Sequence, residues 1–416
     1  MSPAKILAAA MGAAWLSAAP ALAADAAPDF AIVGARVFDG DKVLPKATVV
    51  VRGGLVTAVG SRVKPPAGMT VVDGAGRTLL PGLIDAHTHT FGAAQSDALR
   101  FGVTTELDMF THPATLRSMV KARDAMGPTR NADLFSAGVL ATAPKGHGTE
   151  YGFPIATLTT PGEAQAWVHA RIAEGSDYIK IVYEPHMAGR PSLDRATMQA
   201  LVQAAHARGK LAVAHIASFA SAQEAVEAGV DGLMHAFADT PGDAAFYQLA
   251  AAKKVFVVPT LSVIAGVSGS GEGAKLADDP LVAPYLKPDQ VQIMRVKVRA
   301  AAYHYDVAAG EVAALKAAKI DILAGADAGN PTTTHGATLH EEMALLVAAG
   351  LTPVEALRAA TSLPARRFHL AGRGHVAVGE RADLVLVDGD PTKDITATRA
   401  IAGIWKNGYP VARRPR

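Results

Sequence analysis

The 416-residue chain has no cysteine, so it can form neither a disulfide nor a thiolate metal site. Any metal it binds must be held by imidazole, carboxylate or a modified lysine. It also has almost no net charge, +2 from 40 basic and 38 acidic residues, and no basic stripe beyond Arg413-Arg414-Pro415-Arg416. That balance argues against nucleic acid as a partner, and the terminal arginines read as a solvated tail. No Gly-rich phosphate loop follows the first strand of the central region, which weighs against a dinucleotide-binding fold and against a phosphate-anchored cofactor. Beyond the first residues, no stretch is long and apolar enough to span a bilayer.

The residues present are 50% hydrophobic and 19% charged, far too apolar for a disordered chain. The length suits one large α/β barrel with a small accessory domain. Lys5, the apolar run Ile6 to Leu16 and the small-x-small triplet Ala21-Leu22-Ala23 read as a signal peptide over 1–23. Small residues and Pro20 favour cleavage over a retained membrane anchor. The expected destination is the periplasm or the exterior, with no membrane attachment after cleavage.

After Asp29 short β-like runs alternate with Gly34, Gly53-Gly54 and Gly60, and the same texture returns in Ala382 to Val387 and Ile401 to Gly408. The two ends, 24–80 and 371–416, are therefore expected to meet as one small β-sandwich. Between them, 81–370 alternates apolar runs with Ala-rich helical stretches such as Pro161 to Glu174, Arg195 to Arg208 and Ala220 to Ala228. Eight candidate strands begin near Leu83, Thr104, Leu134, Tyr178, Leu211, Gly232, Val255 and Ile322. That repeat predicts a (β/α)8 TIM-like barrel, whose active site lies at the C-terminal ends of its strands. Thr260 to Asp289 breaks the rhythm with Gly, Ser, Pro and Ala, and is expected to be a long loop. A substrate lid and a passive insertion both fit it.

The strongest local signal is Pro81-Gly82-Leu83-Ile84-Asp85-Ala86-His87-Thr88-His89. Residues i and i+2 of a strand face the same side, so His87 and His89 can converge on one ion. Two surface histidines would look alike, but this pair ends an apolar strand at the start of the barrel. The segment resembles the signature that opens the barrel in the amidohydrolase superfamily, and Ala382-Asp383-Leu384-Val385 resembles part of that superfamily's accessory domain. The resemblance covers nearly the whole mature chain. It is nearest the imidazolonepropionase-like or prolidase-like branch, which includes metal carboxypeptidases and Xaa-Pro dipeptidases.

Lys180 lies in the apolar run Tyr178-Ile179-Lys180-Ile181-Val182, where a free ammonium is costly. A buried acid partner would account for it. The resemblance instead implies the lysine that reacts with carbon dioxide, giving an N6-carboxylysine that bridges two cations. His215 and His235 each close an apolar run in consecutive strands and fit the ligands of a second metal. Asp327 closes Ile322-Leu323-Ala324-Gly325-Ala326 and matches the metal-linked carboxylate that acts as general base, then acid. Deaminase-like members carry a His-x-x-Glu after strand five, but His215-Ile216-Ala217-Ser218 has no acid there. The resemblance therefore points away from imidazolonepropionase activity and toward a binuclear hydrolase with two divalent metals, zinc expected.

Substrate contacts are expected from His147, which would polarise a carbonyl or hold a carboxylate, and more weakly from Tyr151, Tyr183 and His335. For Tyr183 a packing role fits equally well. His112, His304 and His340 read as surface or helix residues. The implied activity is cleavage of amide or peptide bonds by a metal-bridging hydroxide, as in a dipeptidase, carboxypeptidase or N-acyl amino acid amidase working as a homo-oligomer on a small molecule or short peptide. A lactonase, carbamate or phosphotriester hydrolase could use the same centre. A non-catalytic periplasmic binding protein on a decayed barrel is the rival from another class, yet decay would strike the ligands first and all these positions are filled.

Overall fold

A computed structural model describes residues 27–416 except 188, 301 and 302; the expected signal peptide over 1–23 lies outside the described residues. The two ends of the chain share one eight-stranded sheet. Its N-terminal strands are β1 (Phe30–Phe38), β2 (Val43–Arg52), β3 (Leu55–Gly60), β4 (Thr70–Asp73) and β5 (Arg77–Pro81). β5 pairs in parallel with β1 on one side. On its other side it pairs antiparallel with a C-terminal strand, Leu384–Asp388, in the register Leu384↔Pro81 to Asp388↔Arg77. The expected sandwich thus takes the form of one continuous hydrogen-bonded sheet stitched at this seam.

Strand alternation gives that sheet two different faces. Leu79, Leu384 and Leu386 join Phe30, Ile32, Val49 and Trp405 in a core of the end domain. Their neighbours Leu80, Val385 and Val387 instead enter the large central core beside Leu83 and Val103. Each such buried side chain is worth roughly 1.5–3 kcal/mol of transfer free energy, so both faces hold the domains together.

The central region carries parallel strands in two sheets. The first contains β6 (Leu83–Thr88), β7 (Val103–Asp108) and β8 (Asp133–Ser136). The second contains β9 (Ile179–Val182), β10 (Ala212–His215), β11 (Gly232–Met234) and β12 (Phe256–Val258). Helices intervene, as the periodicity predicts. Asp194, Ser218 and Asp243 accept from backbone N–H groups at the starts of Arg195–His206, Phe219–Ala228 and Ala244–Ala252. Left-handed Gly175 and Gly229 stop Ala164–Glu174 and Phe219–Ala228.

The eighth expected strand, near Ile322, is an extended segment held by isolated bridges. Leu323 N–H donates to Val257 O (2.9 Å) on one side, while Ala86 N–H donates to Ala324 O (2.9 Å) and Asp327 N–H to His87 O (2.8 Å) on the other. Gly325 permits that contact, because a Cβ there would lie 2.7 Å from His87 N. At the opposite edge Ala141 N–H donates to Lys180 O (2.8 Å), linking the chain beyond β8 to β9. Hydrogen bonds therefore connect the two sheets along both edges.

The long loop expected over Thr260 to Asp289 is not found. Helices Leu261–Val267 and Glu272–Ala277 and a 3-10 turn at Ala283–Tyr285 fill it, and helix Pro288–Met294 begins within it. Leu261 to Gly266 are buried on all sides, so tertiary packing overrides the weak helix propensity of a Gly- and Val-containing segment. The glycines that suggested a loop serve as hinges: Gly269 and Gly271 take positive φ between the first two helices.

The end sheet is also pinned to the central region by buried charge. Lys406, in the strand Ile401–Lys406, is fully buried and donates to Asp133 at the start of β8 and to Asp383 beside the seam, both at 2.7 Å. Arg373 donates twice to the same Asp133 carboxylate. Removing one partner of such a group leaves uncompensated buried charge. Lys406→Met should therefore cost roughly 3–5 kcal/mol in urea unfolding. Arg52→Met, at an exposed pair 3.9 Å from Asp29, should change stability by at most about 0.5 kcal/mol.

Candidate metal centre

The strands end in imidazoles that face one another. His87, the second-last residue of β6, is fully buried, and neither of its ring nitrogens has a hydrogen-bond partner. Its Nε2 lies 3.4 Å from Asp327 Oδ1, and His89 Nε2 lies 3.1 Å from the same oxygen. His235 Nδ1 is 4.0 Å from Asp327 Oδ2. The His87 and His89 nitrogens lie as near Asp327 Oδ1 as atoms bound at ~2.0–2.2 Å to one zinc-like ion lie to one another. Asp327 (φ 49) and His235 (φ 107) both have left-handed backbone, a strain of about 1–3 kcal/mol each that strand pairing on either side sustains.

A second convergence lies beside the first. His215, at the end of β10, directs Nδ1 to within 2.8 Å of His235 Nε2. The outward nitrogens of both rings are taken: His215 Nε2 lies 2.7 Å from Glu184 Oε1, and His235 Nδ1 lies 2.7 Å from Thr260 Oγ1. Such partners fix the tautomer and aim the other nitrogen inward. Lys180, buried on β9, lines the same cavity of about 190 Å³ as His89, His215, His235 and Asp327.

The protonation states suit a cation. Burial lowers His87 well below its ordinary value, with the Lys180 charge adding to this. Burial and His215 do the same to His235, so both rings offer lone pairs at neutral pH. Burial alone would raise Asp327, but His87, His89 and His235 hold its carboxyl well below the usual range. Burial brings Lys180 down to about 7 against the opposing pull of Asp327, Glu184 and Asp108. Glu184, despite its burial, is held at about 2 by His215. Unpartnered buried imidazole nitrogens, an ionised carboxylate and neutral histidines form a donor set that fits divalent metal.

Of the expected substrate contacts, His147 and Tyr151 line this cavity. His147 Nδ1 sits 2.8 Å from both Glu150 Oε1 and Arg190 Nη1, and its ring is 5.0 Å from that of His215. Burial and His215 lower it to about 4. Two others are directed elsewhere. Tyr183 is buried in the central core and its hydroxyl bonds to Glu224 on the helix Phe219–Ala228. His335 turns inward to fully buried Glu106 at 2.6 Å, so it is unavailable to a substrate in this cavity.

His112 caps the helix Pro113–Ala122 and His304 precedes Tyr305–Ala317. His340 lies in the helix Ala337–Ala348, where it is buried, not exposed, and bonds to Phe101 O.

Glu184, Thr260 and Arg190, and Tyr303 on the cavity lining, were not anticipated. For Glu184 a signal existed: Lys180, Val182 and Glu184 alternate onto one side of the β9 line. Because Glu184 aims His215, Glu184→Gln should weaken retention of a divalent cation by roughly 10–100-fold in equilibrium dialysis. Unchanged affinity would show that the carboxylate does not orient the ring.

A model described as the Amidohydrolase family matches residues 78–412. In sequence the chain is similar to the imidazolonepropionase of Deinococcus radiodurans, 25% identical over 390 residues that cover 88% of this chain and 92% of the relative. In structure it is similar to a Xaa-Pro dipeptidase with bound methionine in its active site, with TM-score 0.71, 22% identity and coverage of 92% and 99%. It is also similar to molinate hydrolase, with TM-score 0.72, 19% identity and coverage of 93% and 95%. The chain belongs to the amidohydrolase family and is a hydrolytic enzyme of carbon–nitrogen bonds.

Proposed function

We propose that this chain is a binuclear metal hydrolase of peptide-like amide bonds, built on a closed (β/α)8 barrel and exported by residues 1–23 to the periplasm. The observation that carries the reading is the gathering of His87, His235 and Asp327 within 4.8 Å of one another, with His89 beside Asp327 and His215 beside His235. His87, His89 and Asp327 would hold one cation and His215 and His235 the other, with a carboxylated Lys180 between them. Zinc suits this nitrogen-rich set.

A bound pair of such cations supplies Lewis acidity, lowering the pKa of water from about 15.7 toward ~7 and polarising a carbonyl. The chain's own residues do the rest. Asp327, ionised at neutral pH, takes the proton of the attacking water and returns it to the leaving nitrogen. His147, on the cavity wall and neutral, orients the carbonyl or the terminal carboxylate of the substrate. Arg190, beside His147 and ion-paired with Glu150, places a guanidinium near the cavity that a peptide's carboxylate could share. The peptide-like substrate is further supported by the similarity to a Xaa-Pro dipeptidase.

The test is a panel of dipeptides, N-acyl amino acids, lactones and carbamates, run with metal counting on the wild type and on Lys180→Ala. The wild type should prefer amides. Lys180→Ala should lose bound metal and most turnover, with partial rescue by short-chain carboxylic acids. Carbamate formation needs the neutral amine, and the ammonium dominates below the lysine's value of about 7. Metal retention by the wild type should therefore rise as pH increases through that point. Full metal content and full turnover in Lys180→Ala would end the bridging assignment.

A further inference from the structure

The cavity above the cluster has two unlike walls. The strand ends and the loops beyond them bring His147, His215 and Asp327 together with Val182 and Ile216, while the short helix Leu261–Val267 brings apolar Val263, Ile264 and Val267, whose positions i, i+1 and i+4 put them on one flank of it. Water activation makes no use of this wall.

The helix is fastened in place. It starts at Thr260, whose left-handed backbone (φ 51) sets its hydroxyl 2.7 Å from His235 Nδ1. The next two N–H groups, of Leu261 and Ser262, donate to the carboxylate of Glu342 at 3.0 and 2.8 Å, and Glu342 is wholly buried. On the flank beside Val263, Gly266 meets Thr332 so closely that a Cβ would lie 1.8 Å from its Oγ1. The helix can move neither along its axis nor outward without breaking the Glu342 bonds, the Thr260 contact or the Thr332 packing. Its side chains therefore present a wall of fixed position. The space left between this wall and the ligands, about 190 Å³, is smaller than the ~300 Å³ at which pockets for drug-sized ligands begin.

We propose that Val263, Ile264 and Val267 form the pocket for a small aliphatic side chain of the substrate, of valine, leucine or proline size, and determine which amides are accepted. The choice of substrate class rests on the amide-hydrolase reading above. The shape preference itself does not require turnover. Ile264 is the central residue of the wall, and a rigid wall discriminates by volume because it cannot relax around a larger group.

The test uses the full metal-loaded chain with L-leucine hydroxamate and L-phenylalanine hydroxamate as probes, measured by calorimetry, alongside kcat/KM for N-acetyl-leucine and N-acetyl-phenylalanine. The wild type should favour the leucine compounds by roughly tenfold or more, the scale on which an apolar pocket separates neighbouring side chains. Ile264→Ala should narrow or reverse that ratio by about the same factor with metal content unchanged. Val267→Ala, a half-buried position that tolerates truncation better, should move the ratio in the same direction. Equal binding of both probes by the wild type, or a parallel change for both in the two variants, would overturn the proposal. If the preference appears in binding and neither amide is cleaved, the pocket stands and the peptide-like substrate reading falls.

Discussion

The carboxylate of Asp327 sits at the most constrained point of the molecule. It must remain ionised while wholly enclosed, and three imidazoles within about 4 Å make that tolerable only if they are placed before any ligand arrives. The backbone does the placing. Asp327 N–H donates to His87 O and His89 N–H to Ala328 O, so both sides of the cluster are held by one ladder. One layer below, Asp85 accepts from Ala326 N–H and His87 N–H, fastening the same two segments again. Asp108 accepts from Thr90 N–H and holds the chain just beyond His89. The His87 ring is left with no hydrogen-bond partner of its own. An unsatisfied buried polar group costs about 1–3 kcal/mol, and the unpartnered nitrogens of His87 are a stability sacrifice that a cation would reverse.

Much of this was legible in the sequence because it follows from period-two alternation. The strand starts from Leu83 to Val255 and the histidines that close or follow those strands are properties of apolar runs ending in a polar residue, while the roles given to Lys180 and Asp327 rest on the family resemblance. Parity also accounts for one residue whose role the sequence left open. Lys180, Val182 and Glu184 fall on one side of β9 and its extension, which sends Tyr183 the opposite way, toward Glu224. What no periodicity could supply was loop direction. His335 stands just ahead of helix Ala337–Ala348, and Gly336, whose Cβ would strike Ala98, lets the chain press close enough for the ring to reach Glu106. Glycine-rich composition likewise misled over Thr260 to Asp289, since burial of the largely apolar segment Leu261–Val267 decided its helical state.

The parts of the fold divide the labour. The end sheet contributes no residue to the cavity. It covers one side of the central core through Leu80, Val385 and Val387, and is bolted to β8 by Lys406 and Arg373. The parallel strands fix the donor atoms. The helix that follows β12 joins two tasks, since Thr260 aims His235 while the residues after it face the substrate space. A change at Thr260 would therefore be felt by His235, whereas truncation of Val263, Ile264 or Val267 would be felt in the substrate space alone.

The central claim is that two cations share one mouth of the strand array with a carboxylated lysine between them. Anomalous diffraction from crystals grown with zinc and bicarbonate measures this directly. The account predicts two peaks, one against His87, His89 and Asp327 and one against His215 and His235, with density extending from Lys180 Nζ to both. A single peak, or an unmodified Lys180 side chain beside full metal occupancy, would contradict it.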